Sequence, residues 1–327
     1  MITIDDIYEA QTFLKGKIHR TPLFSSHLIG RVTRPQTELW LKAENLQKTG
    51  SFKPRGVLFK LSRLTPEERK RGLLTVSAGN TAQSLAWAAA IEGIPCTVIV
   101  PNAAPKTKTD AATAYGAEVI RHGASHHESW ELAHKLLAER GLTLVHPYDD
   151  EVVIAGHGTI GLEILEDLPD VQAVLIPIGG GAIATGIGLA IKSLRPDVKI
   201  IGVEPALAPK MTRALAAGEP VDIGLSTTIA DGLRAPKVGQ VNLDMARLYL
   251  DEVIQVSDDA ITCAVGLVLQ RCKLLAEPSG VATVGALLEG KASILAGMKT
   301  VAVISGGNPD RSKIIELLGK EKPADHP

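Results

Sequence analysis

With 327 residues, 45% hydrophobic and 22% charged, the chain suits one large or two medium globular domains. The 35 Lys and Arg nearly balance the 36 Asp and Glu, leaving a net charge of −1, and only 11 residues are aromatic (3 Trp, 4 Tyr, 4 Phe). A phosphate backbone needs a basic surplus and splayed bases need aromatic platforms, so nucleic acid is excluded as the main partner. No apolar stretch is long enough to span a membrane. The acidic start at Asp5 and Asp6 lacks a signal-peptide pattern. Cys96, Cys263 and Cys272 are too scattered for a disulfide framework or a zinc knuckle. A cytoplasmic location is expected.

In chain order, short Val- and Ile-rich runs predict strands at Glu38–Glu44, Leu73–Ala78, Cys96–Pro101, Ala117–Gly123, Thr143–His146, Ala173–Ile178, Lys199–Glu204, Glu252–Val256 and Thr300–Ser305. Between them, Ala- and Leu-rich stretches with helical spacing include Thr81–Glu92, Ser125–Arg140 and Ile183–Leu194. Strands alternating with helices imply βαβ units and mostly parallel sheets covered on both faces. The run from Arg71 to His146 reads as a compact block of its own, giving a small domain of residues 71–146 inserted into a large one of residues 1–70 and 147–327. The tail Gly319–Pro327 has a disordered composition.

Ligands of open α/β sheets bind where strands run into helix N-termini. Four such junctions carry chemistry. At Thr49–Gly56, Ser51 is a credible N-cap and Lys53 follows it into the first helical turn beside Pro54. A helix N-terminus disfavours an ammonium, and a neutral lysine can form a Schiff base; the alternative is a plain surface lysine. At Val76–Gln83, small polar residues and backbone amides can hold a carboxylate, or Asn80 simply caps the helix. At Pro177–Gly186, three successive glycines open a helix and can close their amides around a phosphate, or form a tight turn. At Ile304–Asp310, Ser305 offers one hydroxyl to a ligand beside two glycines that allow close approach, or the segment is a plain turn.

Two other patterns compete. Gly179, Gly181 and Ala184 followed by Glu204 fit a dinucleotide fingerprint with its ribose acid, which taken alone suits an NAD(P)-dependent oxidoreductase. His127, Glu131 and His134, after His126, share a helical face and are candidate metal ligands or a solvated face.

The four junctions together resemble the pyridoxal-phosphate enzymes of fold type II, the tryptophan synthase β-like family, and within it the threonine/serine dehydratases and serine racemases. The resemblance runs through His19–Leu23, Glu44–Lys53, Ser77–Asn80, the glycine loop, Gly202–Pro205, Ala230–Gly232, Glu277–Gly280 and Ser305–Asn308. It displaces the nicotinamide reading, because that family's glycine loop holds the cofactor phosphate. It implies two three-layer α/β domains. It also implies that Lys53 carries pyridoxal 5'-phosphate as a Schiff base and acts as acid and base. Phe52 would pack beside the cofactor, and Asn80 would hydrogen-bond its ring hydroxyl. Gly179, Gly180, Gly181 and Ala182 would cradle its phosphate, and Ser305 would meet its ring nitrogen. Ser77, Ala78, Asn80 and Thr81 would line the substrate carboxylate site.

The implied reaction is dehydration of a β-hydroxy amino acid, L-threonine or L-serine first, to a 2-oxo acid and ammonia. Alternatives are 3-hydroxyaspartate or another hydroxy amino acid, and racemisation. The family implies a homodimer or homotetramer. With the sequence ending soon after the last motif, no C-terminal regulatory domain is expected. Four departures stand out. Ala182 replaces the loop's fourth glycine, and Thr81 the usual histidine. Ala78 stands where racemases keep a second, serine base. Lys210 stands where some members keep an acidic ligand of a divalent metal near Glu204, so no metal is expected there.

Overall fold

The computed structural model describes residues 1–104, 106–292 and 295–320. All nine expected strands are present with ends within two residues, and a tenth, short edge strand precedes them. They are β1 (Leu23–Ser25), β2 (Glu38–Ala43), β3 (Leu73–Val76), β4 (Cys96–Val100), β5 (Glu118–Arg121), β6 (Thr143–Leu144), β7 (Ala173–Pro177), β8 (Lys199–Pro205), β9 (Glu252–Val256) and β10 (Lys299–Ile304). The fold is two α/β domains, one around each sheet. The six-stranded sheet has the order β1-β2-β10-β7-β8-β9, and the four-stranded sheet β5-β4-β3-β6. Among the described strand pairs, β1–β2 is antiparallel and the rest are parallel. Every residue of β3, β4 and β7 is buried, whereas edge strand β5 is exposed at both ends. Helices cover both faces of the central strands, which is why their sequences are unbroken apolar runs rather than alternating ones.

The three expected helices are Asn80–Glu92, His126–Arg140 and Ala182–Leu194. The first two end on glycines in the left-handed region, Gly93 and Gly141. Ser125 caps the second by accepting the Glu128 amide. Gly319 and Lys320 close the helix Arg311–Lys320 rather than opening a tail; the remainder of that expected disordered segment lies outside the described residues.

One helix, Glu151–Asp167, brings the two most informative junctions into register. It nests between the helix Lys53–Ser62 and the helix Ala182–Leu194, backbone against backbone. A Cβ on Gly156 would fall 2.5 Å from the Arg55 carbonyl oxygen and 2.6 Å from Gly56 Cα. One on Gly158 would fall 3.0 Å from the Gly186 carbonyl oxygen. Only glycine permits this approach. An apolar cluster continues from Ile154 and Leu162 through Val57 and Leu61 to Ala82, Leu85 and Ala89, tying the Lys53 helix to the four-stranded sheet's own helix.

Candidate active site

The chain leaves β2 and runs antiparallel to the segment that leaves β10. Phe52 N–H donates to the Ser305 carbonyl at 3.1 Å, and Ser51 bridges Gly306. Gly307 N–H donates to the Gly50 carbonyl at 2.8 Å, and Asn308 Nδ2 donates to the Thr49 carbonyl at 2.7 Å. This zip sets Lys53 beside Ser305. It also corrects the expected cap. Ser51 is extended within the zip, Phe52 occupies the N-cap position, and no side chain caps the helix. Lys53 and Pro54 open that helix, and the buried Ser51 hydroxyl finds no hydrogen-bond partner among the described residues.

Lys53 Nζ donates to the Pro147 carbonyl at 2.6 Å and lies 4.9 Å from the centre of the Phe52 ring. It has no carboxylate partner among the described residues. Loss of water around the ammonium brings its pKa down to about 8, so burial is the cause of the neutral tendency first expected from the helix end. Behind Phe52 lies His157, edge-on with ring centres 4.6 Å apart. His157 is fully buried, and neither ring nitrogen has a hydrogen-bond partner among the described residues. Burial first, then the charges of Lys53 and Arg55, hold its pKa well below the usual imidazole value.

Two residues after Lys53, the same helix anchors Arg55 in a buried charge network. Its Nε donates to Glu44 Oε2 at 2.8 Å and its terminal nitrogens to Glu44 Oε1 at 2.8 Å and Glu163 Oε1 at 2.7 Å. Lys42 Nζ adds a 2.6 Å contact to Glu163 and donates to the Thr21 carbonyl. Thr21 Oγ1 donates to Glu44 and Thr159 Oγ1 accepts from Arg55. Burial would lower the Arg55 pKa, but Glu44 and Glu163 outweigh it and raise it. Burial would likewise raise Glu163, and Arg55 and Lys42 bring it below the usual carboxylate range. The network ties β2, the helix of Lys53 and the helix of Glu163 into one rigid corner under the lysine.

The glycine loop leaves β7 at Pro177. Gly181 takes φ +114°, a region that strains any side chain. No acceptor among the described residues takes the amide hydrogens of Gly179, Gly180, Gly181 or Ala182, the pattern of a helix start prepared for an anion. Tyr148 lies directly over the loop: a Cβ on Gly180 would fall 2.0 Å from its Cγ. Tyr148 follows Pro147, the acceptor of the Lys53 amine, so Lys53 and the loop share one wall. Asn242 backs that wall, donating to the Tyr148 carbonyl at 2.8 Å while accepting from Thr185 Oγ1 at 2.9 Å.

From the four-stranded sheet, the junction after β3 reaches the same place. Gly79 is the helix N-cap and Asn80 the first helical residue, so Asn80 is not the cap. Its side chain instead crosses to the other domain. Asn80 Nδ2 donates to Glu277 Oε1 at 2.7 Å, and Asn308 Nδ2 donates to Asn80 Oδ1 at 2.9 Å. Thr49 and Ser84 hydroxyls hydrogen-bond at 2.8 Å alongside. Ser77, Ala78 and Asn80 are half-buried, Thr81 is buried, and a Cβ on Gly79 would meet nothing within 4 Å. Thus Lys53, Phe52, Asn80, Ser305 and the glycine loop converge at strand carboxyl ends. Sequence reasoning missed Pro147, Tyr148, His157 and Glu277 as parts of this site, and gave Asn308 no role. Only Glu277, an acid set among Ala276, Pro278 and Gly280, carried a visible signal.

The competing patterns lie elsewhere. Glu204 is fully buried and faces its own chain, accepting from Met211 N–H at 2.9 Å, Thr212 N–H at 3.0 Å and Thr212 Oγ1 at 2.6 Å. It cannot reach a ribose, which overturns the dinucleotide fingerprint. Lys210 Nζ is buried 4.0 Å from Glu204 Oε2 and 3.1 Å from the Ala208 carbonyl it donates to. Burial brings its ammonium pKa down to about 8, with Glu204 opposing the shift. His127 is largely exposed and 3.5 Å from Glu131, while His134 packs on Trp130. The described side chains do not include His126, and no group of three metal-ligating side chains occurs among the described residues. No helix among them is long and apolar enough to cross a membrane.

Comparison with known proteins agrees with this geometry. Residues 14–306 match the family model described as pyridoxal-phosphate dependent enzyme. An L-threonine ammonia-lyase of Thermotoga maritima is 44% identical over 320 residues, covering 98% of this chain and 79% of that protein. The catabolic L-threonine dehydratase of Escherichia coli is 40% identical, covering 97% of this chain and 96% of that protein. The solved structure of maize serine racemase superposes with a TM-score of 0.91 at 34% identity, covering 97% of each chain.

Proposed function

Because the chain belongs to the pyridoxal-phosphate dependent enzymes, we propose that it is a dehydratase converting L-threonine or L-serine to a 2-oxo acid and ammonia. The observation that carries this reading is the amine of Lys53, held on the Pro147 carbonyl beside the Phe52 ring and sharing a wall with four amides that have no acceptor among the described residues. These groups fit the cofactor. Lys53 would hold it covalently, Gly179 to Ala182 its phosphate, Asn80 its ring oxygen and Ser305 its ring nitrogen, with Phe52 against the ring. Ser77, Ala78, Asn80 and Thr81 would receive the substrate carboxylate.

When bound, the cofactor supplies an electron sink for the carbanion left at the substrate α-carbon. Lys53 Nζ would take the α-proton, and loss of water around the amine favours its neutral, proton-accepting form. Ser305 is a neutral hydroxyl, which leaves the ring nitrogen largely unprotonated and the sink weak. That suits loss of a β-hydroxyl over transamination. The buried corner around Arg55 fixes the helix of Lys53, and the zip to residues 305–308 fixes its distance from Ser305, so the base is positioned before substrate arrives. Ala78 offers no acid or base to the opposite face of the α-carbon, so racemisation is expected to be weak.

The four strands between residues 73 and 144 support residues 71–146 as the small domain, and residues 1–70 with 147–327 as the large one. The Lys210 ammonium would stand in for a divalent cation beside Glu204, making magnesium or manganese unnecessary. A homodimer or homotetramer in the cytoplasm completes the reading.

The test is release of 2-oxobutyrate from L-threonine by purified protein with pyridoxal phosphate. Turnover establishes the reading, and the L-serine rate then measures how well the pocket fits the γ-methyl. A yellow protein inert on both would redirect the search to 3-hydroxyaspartate and bulkier hydroxy amino acids. A protein that stays colourless would sink the proposal.

A further inference from the structure

The orientation of the Asn80 amide follows from a sequence of donors and acceptors that starts at the backbone. The Thr49 carbonyl can only accept, and it takes one hydrogen of Asn308 Nδ2 at 2.7 Å. The other hydrogen of that nitrogen goes to Asn80 Oδ1 at 2.9 Å. An amide nitrogen carries two hydrogens, so both are accounted for. Asn80 must then present its nitrogen to Glu277, whose Oε1 accepts at 2.7 Å from a carboxylate only 6% exposed. With Asn80 Oδ1 already turned to Asn308, the Glu277 oxygen accepts from Asn80 Nδ2, so this end of the sequence is fixed as well. Among the described residues, one Asn80 N–H is left over. The ground beside it is clear because residue 306 is glycine: a Cβ there would lie 3.2 Å from Asn80 Nδ2 and 2.5 Å from Glu277 Oε1. Gly306 adjoins Ser305.

We propose that Glu277 and Asn308 are positioning residues that lock Asn80 as a hydrogen-bond donor toward the cofactor's ring oxygen and forbid the flipped, acceptor form. This rests on the reading of Asn80 as a cofactor ligand given above. A donor at that point favours the ring oxygen as an anion, whereas a flipped amide would set a carbonyl lone pair against it. Asn80 comes from one domain and both partners from the other, so the donor is correctly turned only where the two domains meet.

Three variants test the lock: Asn308→Asp, which puts an acceptor where the donor was; Glu277→Met, which removes the acceptor at similar length; and Glu277→Gln, whose side-chain carbonyl can accept in the same place. Two properties are read on folded protein, checked by circular dichroism. One is the dissociation constant for pyridoxal phosphate, titrated into apoprotein. The other is the balance of visible and near-ultraviolet absorption bands of the bound cofactor. Asn308→Asp and Glu277→Met are expected to weaken binding by about tenfold or more, a factor that corresponds to about 1.4 kcal/mol, and to shift the band balance. Glu277→Gln should keep both near wild type. Wild-type spectra in Asn308→Asp and Glu277→Met would overturn the lock while leaving the site reading intact, as would a Glu277→Gln variant as damaged as Glu277→Met. A wild-type protein that takes up no pyridoxal phosphate would remove the site reading and the lock with it.

Discussion

Lys53 and Arg55 are separated by one residue at the start of the same helix; Arg55 is fully buried, and Lys53 is half-buried with its amine on the Pro147 carbonyl. Lys53 meets a backbone carbonyl and an aromatic ring, and its pKa drops to about 8. Arg55 meets two carboxylates, each held by further donors, and its charge is secured. Burial alone does not decide ionisation; the presence of a counter-charge does. One turn of helix thus holds a cation whose work is structural beside an amine that can shed its proton. The price of the second is met by the rigidity of the first.

The largest effect should come from breaking the reactive side of this pair. Under the proposed function, Lys53→Ala removes both the covalent anchor and the base, and turnover should fall by about a thousandfold or more. Retained turnover measured as 2-oxo acid release would remove Lys53 from the mechanism. On the structural side, Arg55→Met strands Glu44 and Glu163 with only Lys42 nearby. Loss of one partner from a buried ion network costs about 3–5 kcal/mol, readable as a lowered denaturation midpoint. Adding Glu44→Gln should recover part of that loss by removing one stranded charge. A single Arg55→Met variant as stable as wild type would mean the network does not hold this corner.

The junctions that carry Lys53 and its neighbours were legible in the sequence, and the buried charge network around Arg55 was not. Lys53, the glycine loop, Asn80 and Ser305 sit at strand-to-helix junctions, where residue type and local order already signal chemistry. The strands were legible because coverage on both faces demands unbroken apolar runs. Arg55, Glu44, Glu163 and Lys42 are ordinary charged residues in sequence; only the fold brings Glu163 to a partner 108 positions earlier. The same holds for Tyr148 over Gly180, and for Glu277 against Asn80, 197 positions away. Strand β1 was missed because three residues carry no pattern. Ser51 was misread as a cap because its pairing with Gly306 is also long-range.

The glycine loop offers a smaller perturbation of the same site. Gly180→Ala would drive a methyl into the Tyr148 ring, 2.0 Å from Cγ. Tyr148 is half-buried, so it can yield at a cost of about 1–3 kcal/mol. The expected outcome is weaker binding of pyridoxal phosphate in a titration, with partial recovery when Tyr148→Ala is added. A Gly180→Ala protein with unchanged affinity would show that the ring does not press on the loop. Gly179→Ala should be milder, since its Cβ would sit 3.2 Å from the Gly232 carbonyl oxygen.

Lys210 sharpens the comparison from between the two extremes. It is fully buried like Arg55, yet its acid partner Glu204 is 4.0 Å away and already satisfied by three donors. Desolvation therefore wins, and the ammonium pKa falls from 10.5 to about 8. In the unfolded chain the amine keeps its proton up to about pH 10.5, whereas the folded chain releases it from about pH 8 upward. Between those values the unfolded state binds more protons, so this group makes stability rise with pH, and its full penalty applies below about pH 8. For a shift of this size, the gain from pH 8 to about 9.5 is roughly 1.5 kcal/mol. Lys53 adds a similar slope in apoprotein, so the quantity to measure is the difference between wild type and Lys210→Met at each pH. That difference should favour Lys210→Met most at pH 7 and shrink as pH rises. A difference that stays flat from pH 7 to about 9.5 would mean that Lys210 is held as firmly charged as Arg55. Glu204 would then be its true counterion rather than a neighbour already satisfied by its own backbone.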